Sequence, residues 1–393
     1  MTRSRSPYSA LRGAWLMGLV ALCGWLLAAC RPAAHEGEEP ADRAALLRIE
    51  RTDSFTKVEI LDAWHEGRTL QTYVLVPQAQ ALPRHLPAGQ VVRTPLRRAV
   101  CFSSIHAALL YELGCQAQVV GLCDVPYVQH PALLRAVDAG RLADMGSAIR
   151  PEAERLAAAH PDALLVSSME NRGYGPLQQL GIPIIECEDY MERSALGRAE
   201  WMRFFGLLFG CETRADSLFR AVSSRYDSLR TLAAGAARRP TLLCDLKQGN
   251  TWYVPGGASY LGRLYADAGA DYLFADQAVS GSAALSPEAV FARSREADVW
   301  LVKYGAESDL TYEQLGADDP LYRQLKPWRE RHVFGCNTYK TPFYEEVPFH
   351  PDLLLRDLIH VFHPELLPGY SPRYFFPLKS EPAGNVSDET PAL

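Results

Sequence analysis

The sequence predicts an α/β protein of two lobes, each a mostly parallel sheet flanked by helices, joined by a long helical linker. Three observations carry this. From Arg98 onward, short apolar runs (RAVCF, QVVGL, ALLVS, IPIIEC) alternate with helical segments and show no internal alternation, as expected of strands covered on both faces. The same order restarts at Thr241 with TLLCDL, VWLVK and HVFGC. Between the two there is no strand signal. Trp201, Phe204, Phe205 and Leu208 recur at i, i+3, i+4, i+7, and after a break at Gly210 the residues Leu218, Phe219, Val222, Tyr226 and Leu229 continue at helical spacing.

Taken in order, residues 1–30 read as a secretory leader: Arg3, Arg5 and Arg12, an apolar run from Ala14 to Ala29, then Cys30. The run falls short of the roughly 20 residues that a spanning helix needs. Its end, Leu27-Ala28-Ala29-Cys30, resembles the lipobox of bacterial lipoproteins, which implies a lipid anchor on Cys30 and work outside the cytoplasm, tethered to the cell membrane. Residues 31–50 are expected to form a flexible tether, because RPAAHEGEEPADR has too little apolar surface to fold. Residues 51–95 form an extension built on a hairpin, FTKVEIL and LQTYVLV turning near Glu66-Gly67-Arg68.

The first lobe spans 96–193. Ser103 and Ser104 cap a helix ending at Gly114, a second helix starts at Pro151, and PLQQLG makes a helical turn. The linker takes 194–235. The second lobe, 236–378, holds the helices SYLGRLYADAG, PEAVFARS and HPDLLLRDLIHVF, and 379–393 read as a disordered tail. The stretch from Pro151-Glu152-Ala153 through Asp162 to Leu165-Val166 has a counterpart from Pro287-Glu288-Ala289 through Asp298 to Leu301-Val302, a sign of pseudo-symmetry.

A net charge of −6 and the lack of any Lys/Arg-rich block argue against a nucleic-acid partner. Beyond Cys23 and Cys30 the cysteines are Cys101, Cys115, Cys123, Cys187, Cys211, Cys244 and Cys336, with no C-x-x-C pair and no zinc spacing. Several sit in apolar runs, where cysteine behaves as a small buried hydrophobe.

Four stretches are similar to the solute-binding lipoproteins of ABC importers for iron-siderophores, haem and cobalamin: RAVCFSSIHAALLYELGCQAQVVGLCD, PEAERLAAAHPDALLVS, LGIPIIECEDY, and WYVPGGASYLGRLYADAGADYLF followed by LSPEAVFARSREADVWLV. The resemblance implies the class III periplasmic binding protein fold. It also implies a monomer without a cofactor, and delivery of a metal chelate to an ABC permease with a cytoplasmic ATPase. One glutamate per lobe would dock on the permease. The family pattern, a Glu eight residues before the Asp of Pro-Asp, falls on Glu154, whereas the internal repeat points to Glu152; in the second lobe both give Glu288. A helical linker implies little hinge rotation on capture.

Ligand contacts are expected on loops at the carboxyl ends of the strands. The first lobe supplies Ser103, Ser104, His106, Asp124, Tyr127, Glu170, Asn171, Arg172 and Tyr174; the second supplies Lys247, Trp252, Tyr253, Lys303, Tyr304, Tyr339, Lys340, Phe343 and Tyr344. Aromatic faces suit a ring or chelate, and Arg or Lys pair with carboxylates. Trp252, Tyr253, Arg172 and Tyr174 stand beside Gly or Pro in turn-like segments. His106, Tyr190, Tyr304 and Tyr339 are alternative axial ligands should the cargo be haem. Two rivals stand beside this reading. A bare zinc or manganese receptor needs three or four converging ligands, and the His residues here are scattered. An exported hydrolase has no G-x-S-x-G, H-E-x-x-H or P-loop to point to.

Overall fold

The computed structural model describes residues 44–170 and 173–380. The leader, Cys30, most of the expected tether, Asn171, Arg172 and residues 381–393 lie outside the described residues.

Four strands come first: β1 (Leu47–Arg51), β2 (Thr56–Leu61), β3 (Thr69–Pro77) and β4 (Gln90–Thr94), in that spatial order. The expected hairpin is β2–β3, turning at Gly67, whose φ of 79° favours glycine. The tether, however, was drawn too long. Leu47 to Glu50 pair with Ile60 to Lys57 in an antiparallel ladder. The chain is captured just before that strand, where Glu192 accepts hydrogen bonds from the N–H groups of Ala45 (2.8 Å) and Leu46 (3.0 Å), and Glu200 from that of Ala44 (3.0 Å). No alternation announced β1, because four of its five side chains are exposed.

The next sheet contains β5 (Ala99–Cys101), β6 (Val119–Leu122), β7 (Ala143–Asp144), β8 (Ala163–Ser167) and β9 (Ile184–Cys187), all parallel in the order β7-β6-β5-β8-β9. Its helices are α1 (Ser104–Glu112), α2 (Pro131–Asp138) and α3 (Ala153–Ala158). Ser103 is the α1 cap, its hydroxyl accepting from the Ile105 N–H. Every residue of β5 is buried, which explains the missing alternation.

Three helices follow: α4 (Ala195–Glu200), α5 (Met202–Phe209) and α6 (Glu212–Ala234). Gly210, at φ 70°, ends α5. Trp201, Phe204, Phe205 and Leu208 are fully buried, so the stripe seen in the sequence is core. This connection is bonded to both sides. The Leu96 N–H donates to Leu208 O (2.8 Å), and Arg225 on α6 pairs with Asp352 (2.6 Å).

The last sheet is β13-β10-β15-β16-β17, built from β10 (Thr241–Cys244), β13 (Asp271–Tyr272), β15 (Val299–Tyr304), β16 (Val333–Asn337) and an antiparallel edge, β17 (Phe376–Pro377). A small antiparallel sheet of β11 (Lys247–Gln248), β12 (Thr251–Pro255) and β14 (Ser282–Leu285) was not read from the sequence. The helices are α7 (Tyr260–Asp267), α8 (Pro287–Ser294), α9 (Tyr312–Asp318), α10 (Lys326–Arg329), α11 (Phe343–Glu346) and α12 (Pro351–Phe362). The fold class is therefore as expected: two mostly parallel sheets flanked by helices. Lys379 is not loose tail, since its carbonyl accepts from the Tyr312 N–H (3.0 Å). Just before it, the fully buried Asp357 carboxylate accepts from the N–H groups of Arg373, Tyr374 and Phe375 and pins this segment to α12.

The suspected repeat has a structural counterpart. Asp162 accepts from the N–H groups of Arg97 (2.7 Å) and Arg98 (3.0 Å), just ahead of β5. Asp298 accepts from the N–H of Thr241 (3.0 Å), the first residue of β10. In both lobes the aspartate before one strand fastens the start of the strand beside it.

Candidate functional site

The carboxyl ends of β5, β6 and β16 meet at one side chain. Glu345, on α11 after β16, is 5% exposed, and its Oε1 accepts from Ser104 Oγ (3.3 Å), at the start of α1, and from the Gln129 N–H (2.9 Å), beyond β6. Two exposed tyrosines flank this contact in sequence, Tyr127 on one side and Tyr344 on the other. Among the described residues Tyr253 and Tyr339 are the other exposed tyrosines, and Lys340 holds Asp309 at 2.8 Å. Of the expected contacts, then, Ser104 and Tyr127 are placed at this junction, while Tyr253, Tyr339 and Lys340 face solvent from the second lobe.

Other expected residues are not available. Trp252 is 1% exposed, because it lies in β12 rather than a loop and alternation sends it inward while its neighbour Tyr253 faces out. Its indole donates to Cys244 O (3.2 Å) and packs against Trp300 and Tyr322. His106 is also 1% exposed: Nε2 sits 2.9 Å from Asp189 Oδ1 and the ring stacks on Phe205, so it does not reach a ligand. Phe343 packs on Tyr374 and Phe375. Lys303 is held by Asp245 (2.5 Å) and Lys247 by Asp319 (2.8 Å). Tyr304 Oη accepts from the Leu310 N–H (3.0 Å). Asp124, at φ 55°, accepts from the Ala148 N–H. Glu170 is exposed, and Arg172 and Asn171 lie outside the described residues.

Sequence reasoning missed the polar chain beneath this junction. Arg198, on α4, donates to Asp189 Oδ2 (3.0 Å) and lies over the Tyr260 ring at the start of α7, 4.9 Å from its centroid. His106, Asp189, Arg198 and Tyr260 thus link α1, the linker and the second lobe. Burial alone would raise the Asp189 carboxyl, but the Arg198 charge and the His106 contacts hold it below the usual range. Of these residues the sequence marked only His106, and its pairing with Asp189, 83 positions away, has no local signal.

A second group sits at the ends of β8 and β9. Tyr174 donates to Glu186, as does Ser168 (2.8 Å), and Tyr190 donates to Ser168 O (2.7 Å), so Tyr174 and Tyr190 spend their hydroxyls on the protein. Glu188 is fully buried, with the Ser168 hydroxyl and the Ala63 N–H as the polar groups beside its carboxylate, and these only partly offset burial. Burial pushes its carboxyl up to about 7, and the nearby Glu186 and Asp62 carboxylates add to this. The folded state therefore holds this proton more tightly than the unfolded chain, whose reference is 4.5, and stability is lost as pH rises between those values. Glu188→Gln should match the wild type near pH 4 and exceed it by on the order of 2 kcal/mol near pH 8. Urea unfolding at both pH values is the check, and a difference that does not grow with pH would refute the assignment.

The two candidate docking glutamates occupy equivalent helix positions. Glu154 is the second residue of α3 after the cap Glu152, and Glu288 the second residue of α8 after the cap Ser286; both are exposed. Counted from the caps, Glu154 matches Glu288 and Glu152 matches Ser286. The repeat that aligns Asp162 with Asp298 instead matches Glu152 with Glu288, because α8, with 8 residues against 6, starts two residues earlier than α3.

A cavity of about 890 Å³ borders Glu345 and opens between α1, α2 and the α11–α12 corner. Glu112, Arg135, Arg141, His350 and Arg373 line it, with Glu112 and His350 2.7 Å apart. No expected contact residue belongs to it, since charges on helices read as solvated faces. Among the described residues no three His, Cys, Asp or Glu side chains gather as a metal site, and no helix is long and apolar enough to cross a membrane.

Residues 100–339 match the family model described as periplasmic binding protein. An uncharacterized lipoprotein of Methanocaldococcus jannaschii is 24% identical over 301 residues, covering 73% of this chain and 70% of its own. Among solved structures, a periplasmic heme binding protein from Pseudomonas aeruginosa aligns with a TM-score of 0.57 at 18% identity, over 73% of this chain and 99% of its own. A protein of an ABC-type Fe3+-hydroxamate transport system from Saccharomonospora viridis aligns at 0.54 and 17% identity, over 68% and 94%.

Proposed function

Because the chain belongs to the periplasmic binding protein family, we propose that it captures a metal chelate (a ferric siderophore, haem or cobalamin) between its lobes and delivers it to an ABC permease. It performs no chemistry, carries no cofactor and works outside the cytoplasm, lipid-anchored through Cys30 as a monomer. The observation that carries the reading is the meeting of both lobes' strand ends at Glu345, with exposed tyrosines on either side. Open α/β sheets take ligands at that end of their strands, and tyrosine gives a flat apolar face with a polar tip to a conjugated or chelating cargo. Tyr127 and Tyr344 would hold the cargo's flat surface, Tyr253, Tyr339 and Lys340 its periphery. Arg172, if the loop after β8 carries it to the cleft, would pair with a carboxylate. The aligned structures, one of a heme-binding protein and one of a protein for Fe3+-hydroxamate transport, support the same cargo class.

Calorimetric titration of the purified protein against haem, cyanocobalamin and a panel of ferric siderophores tests this. Saturable submicromolar binding of one member is expected, weakened at least about tenfold by Tyr127→Ala with Tyr344→Ala. Silence across the panel would remove the chelate reading; binding of free zinc or manganese instead would favour the bare-metal rival.

A further inference from the structure

Cys115 and Cys211 lie side by side although 96 positions separate them, with a Sγ–Sγ distance of 3.3 Å. The same local device puts each there. Gly114, at φ 79°, ends α1, and the next N–H, that of Cys115, returns to Leu110 O (2.8 Å). Gly210, at φ 70°, ends α5, and the Cys211 N–H returns to Gly206 O (2.9 Å). Both cysteines thus occupy the residue just past the left-handed glycine of a Schellman turn, and the two helix ends face one another.

The structure assigns Cys115 and Cys211 as a redox-responsive thiol pair that closes into a disulfide between the first lobe and the linker. A bond needs the sulfurs at about 2.05 Å, a closure of little more than 1 Å from their present spacing. Cys211 is half-buried and Cys115 buried, so an external disulfide meets Cys211 first. Cys211, its proton taken by the Cys115 thiolate across the contact, attacks one sulfur of a small-molecule or protein disulfide and expels the other as a thiol, leaving a mixed disulfide. The Cys115 thiolate then attacks the Cys211 sulfur and expels the second. Two cysteine thiols are oxidised to one disulfide, the donor is reduced to two thiols, and the two protons pass to the thiols released.

The contact divides the pair: it lowers the Cys115 thiol below its ordinary value despite burial, with the Arg214 charge adding to this, and pushes the Cys211 thiol up, so the Cys115 thiolate is the base that takes the Cys211 proton as Cys211 attacks. The Arg214 guanidinium packs on the turn itself, 2.8 Å from where a side chain on Gly114 would begin. The remaining described cysteines, Cys101, Cys123, Cys187, Cys244 and Cys336, are buried, and burial pushes each of them up, so they are poor competitors. Isolated buried thiols would be inert; this one pair has a partner, a cation and an opening to solvent.

The test is to incubate the full-length chain, in detergent, with oxidised glutathione, alkylate it after unfolding, and map the peptides by mass spectrometry. A single cross-link between the Cys115 and Cys211 peptides is expected, two hydrogens lighter than the reduced pair. Cys101, Cys123, Cys187, Cys244 and Cys336 should be alkylated. Closing a loop of this length should raise Tm by roughly 5–10 °C, an increase lost on reduction and absent in Cys211→Ala. Cys115→Ala should stop at a glutathione adduct on Cys211. Wild-type protein that stops at that adduct, or leaves both residues as thiols, overturns the assignment, as would a Tm gain that survives in Cys211→Ala.

Discussion

Replacing Asp189 by alanine should destabilise the protein by about 3–5 kcal/mol, the range for removing one partner of a buried ion pair. The carboxylate is 1% exposed and serves two partners, His106 at 2.9 Å and Arg198 at 3.0 Å. Without it the Arg198 guanidinium stays buried, left with the Tyr260 ring 4.9 Å away as its neighbour. Most of the loss is the cost of that stranded charge rather than the worth of the pair. Arg198→Met in the same background should therefore restore part of it, because a similar volume is filled without a charge. Urea unfolding of the single and double variants measures both. A loss below about 1 kcal/mol for Asp189→Ala would mean that water reaches Arg198 and that the chain linking the lobes contributes little.

Glu154→Ala combined with Glu288→Ala should cut ligand-dependent uptake through the cognate permease by tenfold or more, which corresponds to about 1.4 kcal/mol of lost docking. Affinity for the ligand should not change. Both side chains are exposed on the second position of a short helix, far in sequence from the strand ends that meet at Glu345. Uptake into vesicles and calorimetry on the same preparation separate the two effects. Reduced affinity would place these glutamates in the binding site instead, and normal uptake would leave them as carboxylates that merely complement a helix dipole.

What could be read in the sequence follows from how local each signal is. Buried parallel strands announce themselves by unbroken apolar runs, and the linker by its i, i+3, i+4, i+7 stripe, so β5, β8, β15 and Trp201 to Leu208 were legible. Cap residues worked for the same reason: Ser103 and Gly114 act within one turn of the helix they bound. Strand β1 was hidden because its side chains face solvent and the chain just ahead of it is held by Glu192 and Glu200, some 150 residues on. Trp252 misled because a turn-like Pro-Gly-Gly comes soon after it, while Thr251 to Pro255 form a strand whose inner face it occupies. The pairings that matter most at the site, Ser104 with Glu345 and His106 with Asp189, join positions 241 and 83 apart, and no local pattern encodes them.

The way the linker is fastened on both sides bears on timing. Leu208 grips the chain entering the first lobe, and Arg225 grips α12 of the second, so neither lobe swings freely from a slack joint. A molecule braced like this spends little time in widely splayed forms, and a fraction lost to such forms would otherwise subtract directly from apparent affinity. At the cleft proposed above, what an arriving cargo would displace is local, the two hydrogen bonds on Glu345, and its arrival and departure would be set by that small rearrangement rather than by the opening of the whole frame.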